Sequence, residues 1–245
     1  MCIRDRWYRD PGQVAWRRWE GHQFDVAQVE DLMPVMQQGR EELWISTYTG
    51  GLWRMRADGL RHWSHDHDGL PSNVIYNVAN TALPDGNRAI WVASRAGLLR
   101  LHEDTLQVFN RRHGLRSDVI RDVIAWRSPD GLDVLWMASD WGVTRTVLGA
   151  SPWVIASLMG SDGLGVFGFL VEPDGQGGER LWVSSSGEGL SLYQGRQWHH
   201  FGQDEGVPPD ANIGSVIATH DEAGRSTYWV SPVSYTHLTL PTIYS

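Results

Sequence analysis

The sequence predicts an all-β chain made of repeated four-stranded sheets, on three observations. First, an apolar residue, a tryptophan, an aliphatic residue and small residues recur as LWIST at Trp44, IWVAS at Trp91, LWMAS at Trp136, LWVSS at Trp182 and YWVSP at Trp229. Successive tryptophans therefore stand 47, 45, 46 and 47 residues apart. Second, a glycine with an aliphatic partner keeps the same phase at Gly51, Gly97, Gly142 and Gly189, and the turns DGLPSN, HGLRSD, SDGLGV and EGVPPD separate the units. Third, no segment carries a sustained helical period. A repeat this regular marks an array of one structural unit.

Within the second unit the elements read in order as NVIYNVAN, the turn PDGN, AIWVAS, the break RAG, LLRLHE, the turn DT and LQVFNR. Short runs of β-branched and aromatic residues bounded by Asp, Gly, Asn and Pro are hairpin-linked strands. Four antiparallel strands in about 46 residues is the signature of a β-propeller blade. The chain is therefore expected to hold four four-stranded blades and parts of two more, an open arc of a larger ring. The second strand of a blade is covered on both faces, so it tolerates a continuous apolar run, and each tryptophan is expected to wedge between blades. The glycine six or seven residues later is expected to take a positive φ in the short turn into strand three.

Composition narrows the function. The 245 residues are 41% hydrophobic and include 14 tryptophans, enough for a substantial core. The net charge of −8, with 29 acidic against 21 basic residues and no basic cluster, argues against nucleic acid and anionic lipid as partners. No apolar run reaches the length of a membrane span, and MCIRDRWYRD lacks the apolar middle of a signal peptide. Cys2 is the single cysteine, so no internal disulfide forms.

The stretch GLPSNVIYNVAN…PDGNRAIWVASRAGLLRLHEDT closely resembles the two-component regulator propeller repeat, over about residues 17 to 231, with the second and fourth units matching best. The third unit departs, with GVTRTVLGASPWV in place of a clean third strand and turn, which predicts an irregular outer edge for that blade. That repeat forms the periplasmic sensor of bacterial hybrid histidine kinases, and a related version precedes diguanylate cyclases. The resemblance implies a non-catalytic, cofactor-free propeller that senses a small-molecule or carbohydrate signal. It implies as partners the remainder of the propeller and a membrane-linked output domain, in a parent protein that could dimerise. A propeller enzyme acting on polysaccharide and a protein-interaction scaffold are the alternatives.

The expected organisation is blades at about 24–63, 72–109, 118–157 and 164–201 with a partial one at 212–231, all within a propeller segment 7–231. Residues 1–6 and 232–245 resemble translated adapter sequence and are set apart from the fold, because the repeat phase is lost at VSYTHLTLPTIYS. An incomplete ring would leave two blade faces uncovered and favour self-association.

Candidate ligand residues come from the loops that gather on one face of a propeller. The loops between strands two and three offer Tyr48, Arg95, Asp140, Trp141 and Ser185, and those entering the next innermost strand offer Asn73, Asp118 and Asn212. Polar and aromatic side chains converging on a concave face are the makings of a small-molecule site. No catalytic residue and no metal site is assigned. Gly163, Gly165 and Gly168 match a dinucleotide fingerprint but fall on an inter-blade turn rather than opening a helix. His62, His65 and His67, read as an extended outer strand and turn, lack a closing ligand, as do His199 and His200. Asp85, Asp130 and Asp174 belong to PDG turns that use them for backbone capping.

Overall fold

A computed structural model describes residues 7–8, 17–18, 28–83, 87–102, 104–149, 155–157, 165–186, 189–207, 213–222 and 224–232. A two-stranded ladder, β1 (Trp7–Tyr8) with β2 (Arg17–Arg18), comes first. The first four-stranded sheet is β3 (Val29–Gln37), β4 (Arg40–Thr47), β5 (Leu52–Arg56) and β6 (Gly59–Trp63). One helical turn, α1 (His65–Asp68), leads to the second sheet: β7 (Ile75–Ala82), β8 (Arg88–Ser94), β9 (Gly97–His102) and β10 (Thr105–Phe109). The third sheet holds β11 (Ile120–Arg127), β12 (Asp133–Ser139), β13 (Gly142–Val147) and β14 (Ile155–Ser157). The fourth holds β15 (Val166–Pro173), β16 (Glu179–Ser185), β17 (Gly189–Gln194) and β18 (Gln197–Phe201), and β19 (Ile213–His220) pairs with β20 (Ser226–Pro232). In every sheet the strands are ordered as they occur in the chain. This sequential antiparallel meander is the pattern of propeller blades.

The chain divides into two compact units, Met1–Ala125 and Trp126–Ser245. In the first, β7 lies against β3 and β4; in the second, β15 lies against β12, and β19 against β15 and β16. The apolar core therefore lies between sheets. Trp44 shares one cluster with Ile75, Val78, Ile90 and Val92 of the following sheet, and Trp182 shares another with Ile213 and Val216. Trp44 and Trp182 thus pack between successive sheets. Trp44, Trp91, Trp136 and Trp182 are at most 8% exposed, whereas Trp229 is 44% exposed. Exposed Leu32 and Met36 lie on β3, and exposed Ile217 and Val230 on β19 and β20.

Gly51, Gly97, Gly142 and Gly189 all have positive φ, at 76°, 123°, 98° and 70°. Before each of them a buried hydroxyl closes the turn. Thr47, Ser94, Ser139 and Ser185 donate to the carbonyls of Gly51, Gly97, Gly142 and Gly189 at 2.7, 2.8, 3.0 and 3.4 Å. The first three also accept from backbone N–H groups inside the turn.

Two local expectations are corrected. β13 is a regular six-residue strand paired throughout with β12, where the sequence predicts a broken third strand; among the described residues the irregularity lies at the outer edge, in the three-residue β14. The histidine segment is not extended between His65 and Asp68 but forms α1. Asn73 Oδ1 accepts from His65 N at 2.7 Å, Asp68 Oδ2 accepts from Ser64 N at 3.1 Å, and Gly69 ends the turn at φ +71°. These contacts stabilise a local turn that propensity alone does not favour.

Candidate functional site

The loops between strands two and three stand at the ends of β4, β8, β12 and β16. In the first unit, Tyr48 is 42% exposed and held by a 2.8 Å bond from its backbone N–H to Gln28 O. Its ring meets Tyr76 edge-on, with centroids 6.2 Å apart, and the Arg121 guanidinium lies 5.4 Å over the Tyr76 ring. Arg95 is exposed, its backbone bonded to Val74 O at 3.1 Å. In the second unit, Trp141 is 58% exposed beside the half-buried Asp140, and its backbone N–H donates to Ser139 Oγ at 3.2 Å.

Three sequence candidates are tied to the fold. Asn73 Oδ1 caps α1, and Asp118 Oδ1 accepts from Arg111 N at 2.8 Å at the equivalent place one repeat later. Ser185 is fully buried on the Gly189 carbonyl, so it belongs to the turn and not to the loop surface. Asn212 lies outside the described residues.

Sequence reasoning missed the residue that the innermost strands push out of register. A β-bulge interrupts pairing at the same point of four innermost strands, between Val29 and Asp31, Ile75 and Asn77, Val166 and Gly168, and Ile213 and Ser215. The bulged residues are Glu30, Tyr76, Phe167 and Gly214, and Arg121 holds the corresponding place on β11. Bulges re-aim side chains and recur beside binding sites. Next to the bulge, Asp31 Oδ2 accepts from Val78 N at 3.3 Å and Asn77 Oδ1 from Val123 N at 3.4 Å, stitching β3 to β7 and β7 to β11. A one-residue insertion with a changing side chain leaves no periodic signal. Its only trace in the sequence is the variable residue after the first apolar position of each unit.

The other motifs resolve into scaffold. Gly165 precedes β15, and Gly168 sits within that strand with its carbonyl accepting from Ser184 Oγ at 2.9 Å. His62 stacks on Trp53, centroids 3.7 Å apart, with Nε2 2.7 Å from Gly50 O. His200 Nδ1 lies 2.8 Å from Ser191 Oγ. Among the described residues, no group of three His, Cys, Asp or Glu is placed to share a metal ion. Asp174 Oδ1 accepts from the N–H groups of Gln176 and Gly178 at 2.7 and 2.8 Å, and Asp130 accepts from Ser128 Oγ, as turn caps do. Asp85 lies outside the described residues.

No protein-family model and no curated protein sequence matches the chain. Solved structures do. The extracellular domain of BT3049 from B. thetaiotaomicron, assigned as a hybrid two component system, superposes with a TM-score of 0.62 at 17% identity, covering 91% of this chain and 29% of that one. The extracellular domain of BT4673 from the same organism, assigned as a one component system, gives 0.61 at 18% identity, covering 88% and 27%. An ancestral GH74 enzyme gives 0.57 at 14% identity, covering 86% and 38%. The fold is that of a β-propeller. The chain spans less than a third of the length of the two extracellular domains it matches. Among the described residues no helix is long and apolar enough to cross a membrane.

Proposed function

We propose that this chain is a ligand-sensing propeller segment of a bacterial signalling receptor, acting outside the cytoplasm and passing its response to a membrane-linked kinase or cyclase. The carrying observation is the repeat itself: the residues quoted above resemble the two-component regulator propeller, and the fold is shared with the extracellular domains of a hybrid two component system and a one component system. In the first unit, the exposed loop residues Tyr48 and Arg95, with Tyr76 at its bulge and Arg121 at the corresponding place on β11, are the side chains we assign to a ligand, a small molecule or carbohydrate; in the second unit the candidate is Trp141. Aromatic faces with guanidinium groups suit a sugar, whose ring stacks while its hydroxyls accept hydrogen bonds. The segment itself carries no catalytic role.

The test uses the complete receptor in its host. Tyr48, Arg95 and Trp141 are replaced together by alanine, and output is read from a reporter while a panel of oligosaccharides and small metabolites is supplied. Loss of the response with unchanged receptor abundance is expected. A response that survives the triple replacement removes the ligand from this face. A reading frame that runs on past Pro232 without reaching a membrane helix and a signalling domain overturns the receptor reading.

A further inference from the structure

The first and second sheets enclose a cavity of about 180 Å³ at the other end of the strands from the Tyr48 and Arg95 loops, lined by Gln38, Glu42, Arg54, Arg88, His102 and Asp104 among others. Its character follows from comparing equivalent positions along the repeat. Arg54, Arg100 and Arg145 each lie over the tryptophan of the preceding strand, 5.6, 5.7 and 5.6 Å from Trp44, Trp91 and Trp136. Such an arginine is partly desolvated by the indole it covers, and a countercharge adds to its stability. Arg145 has one: Glu179 at the start of β16, three residues before Trp182, lies 4.0 Å from its Nε. The residue three before the tryptophan that follows Arg54 is Arg88. At this seam a cation stands where the later seam holds an anion.

Among the described residues, the nearby carboxylates do not make up the difference. Glu42 is buried with both oxygens engaged, Oε1 by Arg56 Nε at 2.7 Å and Oε2 by Trp44 Nε1 at 3.0 Å. Asp104 is exposed in the β9–β10 turn. Arg54 packs against Trp63 as well, at 5.3 Å, and its buried Nε has no hydrogen-bond partner among the described residues. Desolvation pulls the Arg54 pKa below its ordinary value, with the neighbouring Arg56 adding to the effect and Glu42 and Asp104 opposing it. Arg88 is held in place from its own sheet by Nη1 on Asn80 Oδ1 at 2.8 Å, and from the first sheet by its N–H on Gln37 Oε1 at 2.9 Å. The cavity has room for several waters, each taking about 30 Å³, and therefore for a tetrahedral or planar oxyanion.

We propose that this cavity binds a compact oxyanion, a phosphate, a sulfate or the carboxylate of an acidic sugar, between Arg54 and Arg88. The anion takes the place that Glu179 fills beside Arg145, so the site both recognises a ligand and completes the seam.

The experiment is isothermal titration of the full chain with inorganic phosphate, sulfate and glucuronate, each balanced against chloride at constant ionic strength. One-to-one saturable binding of at least one anion is expected, and the arms separate a mineral anion from an acidic sugar. Arg88→Gln is expected to weaken binding about tenfold or more, the usual effect of removing a charged partner. Arg88→Lys, which loses the same planar contact to Asn80 but keeps the charge, is expected to stay within a few-fold of the native chain. Arg88→Glu is expected to abolish binding and, without added anion, to melt no lower than Arg88→Gln, because it recreates the Arg145–Glu179 arrangement. Absence of saturable binding over the chloride control for all three anions overturns the proposal. So does binding by Arg88→Gln within twofold of the native chain, or an Arg88→Glu variant that melts below Arg88→Gln.

Discussion

Replacing Gly97 by alanine tests whether the repeated glycine serves backbone conformation alone or also the approach of the outer strand. Gly97 opens β9 at φ +123°, where an L side chain is strained by about 1–3 kcal/mol. A Cβ built there would stand 2.3 Å from the carbonyl oxygen of Phe109, and Cβ contacts under 3.0 Å do not occur in real proteins. The obstacle is backbone of β10, paired with β9 from Thr105 to Phe109, so it moves only by disturbing that ladder. Overpacking of this kind adds about 1–3 kcal/mol. The two effects together predict a loss of about 2–6 kcal/mol, a large part of the 5–15 kcal/mol that holds a typical domain together. Gly39→Ala is the control, because Gly39 also has positive φ, at 74°, but a Cβ there meets nothing within 4 Å. It is expected to cost about 1–2 kcal/mol. Urea titrations followed by tryptophan fluorescence measure both. Equal losses for the two variants would refute the close-approach argument and leave only the conformational one.

Two further predictions address buried polar groups. Trp91 Nε1 donates to Thr81 Oγ1 at 2.9 Å and Trp229 Nε1 to Thr219 Oγ1 at 3.0 Å, the acceptor in each case ten residues before the tryptophan. Thr81→Val is expected to cost about 1–3 kcal/mol in chemical denaturation, because it strands a buried donor, whereas Thr219→Val should stay within about 0.5 kcal/mol, because water reaches Trp229. Burial raises the Glu179 pKa above its ordinary 4.5, against the opposing pull of Arg145 and of the hydrogen bond from Trp126. A carboxyl with a raised folded-state pKa contributes stability that is fully present below its unfolded value and is lost as pH rises through the folded one. Since Glu179→Gln cannot ionise, the stability of the native chain relative to this variant should decline as pH increases from about 4 to about 7. A flat or rising difference would show that Arg145 outweighs desolvation.

The scaffold was legible because it is periodic, and periodicity survives in a bare sequence. Trp44 and its four counterparts announce the second strand, and Gly51 with its counterparts the turn that follows. What remained hidden depends on which atoms meet across a register. Asn73 and Asp118 look like free loop polar residues until their oxygens are found capping the turns at His65 and Arg111. Ser185 looks exposed because it ends a strand, yet its hydroxyl is sealed onto Gly189. The bulges at Tyr76 and Phe167 add a residue without disturbing the spacing of tryptophans, so the altered direction of those side chains has no signature in the repeat. Arg54 and Arg88 lie far apart in sequence, and their meeting at one seam follows only once β8 is laid against the first sheet.

The acceptor of the tryptophan N–H shows how one repeat position can carry both stability and individuality. Ten residues before Trp91, Trp182 and Trp229 stand Thr81, Glu172 and Thr219, each accepting the indole N–H. Ten residues before Trp136 stands Trp126, which has no acceptor to offer, and Trp136 Nε1 is buried without a partner among the described residues. Trp126 instead donates at 3.0 Å to Glu179, the same carboxylate that lies beside Arg145. At Pro34, ten residues before Trp44, the acceptor moves to Glu42, which also holds Arg56. Glu172 accepts from Tyr228 at 2.5 Å besides Trp182, joining the fourth sheet to the next. The same place in five sheets is thus filled by two hydroxyls, a carboxylate, an indole and a proline. A propeller keeps its strands by repetition and sets its seams apart by such substitutions.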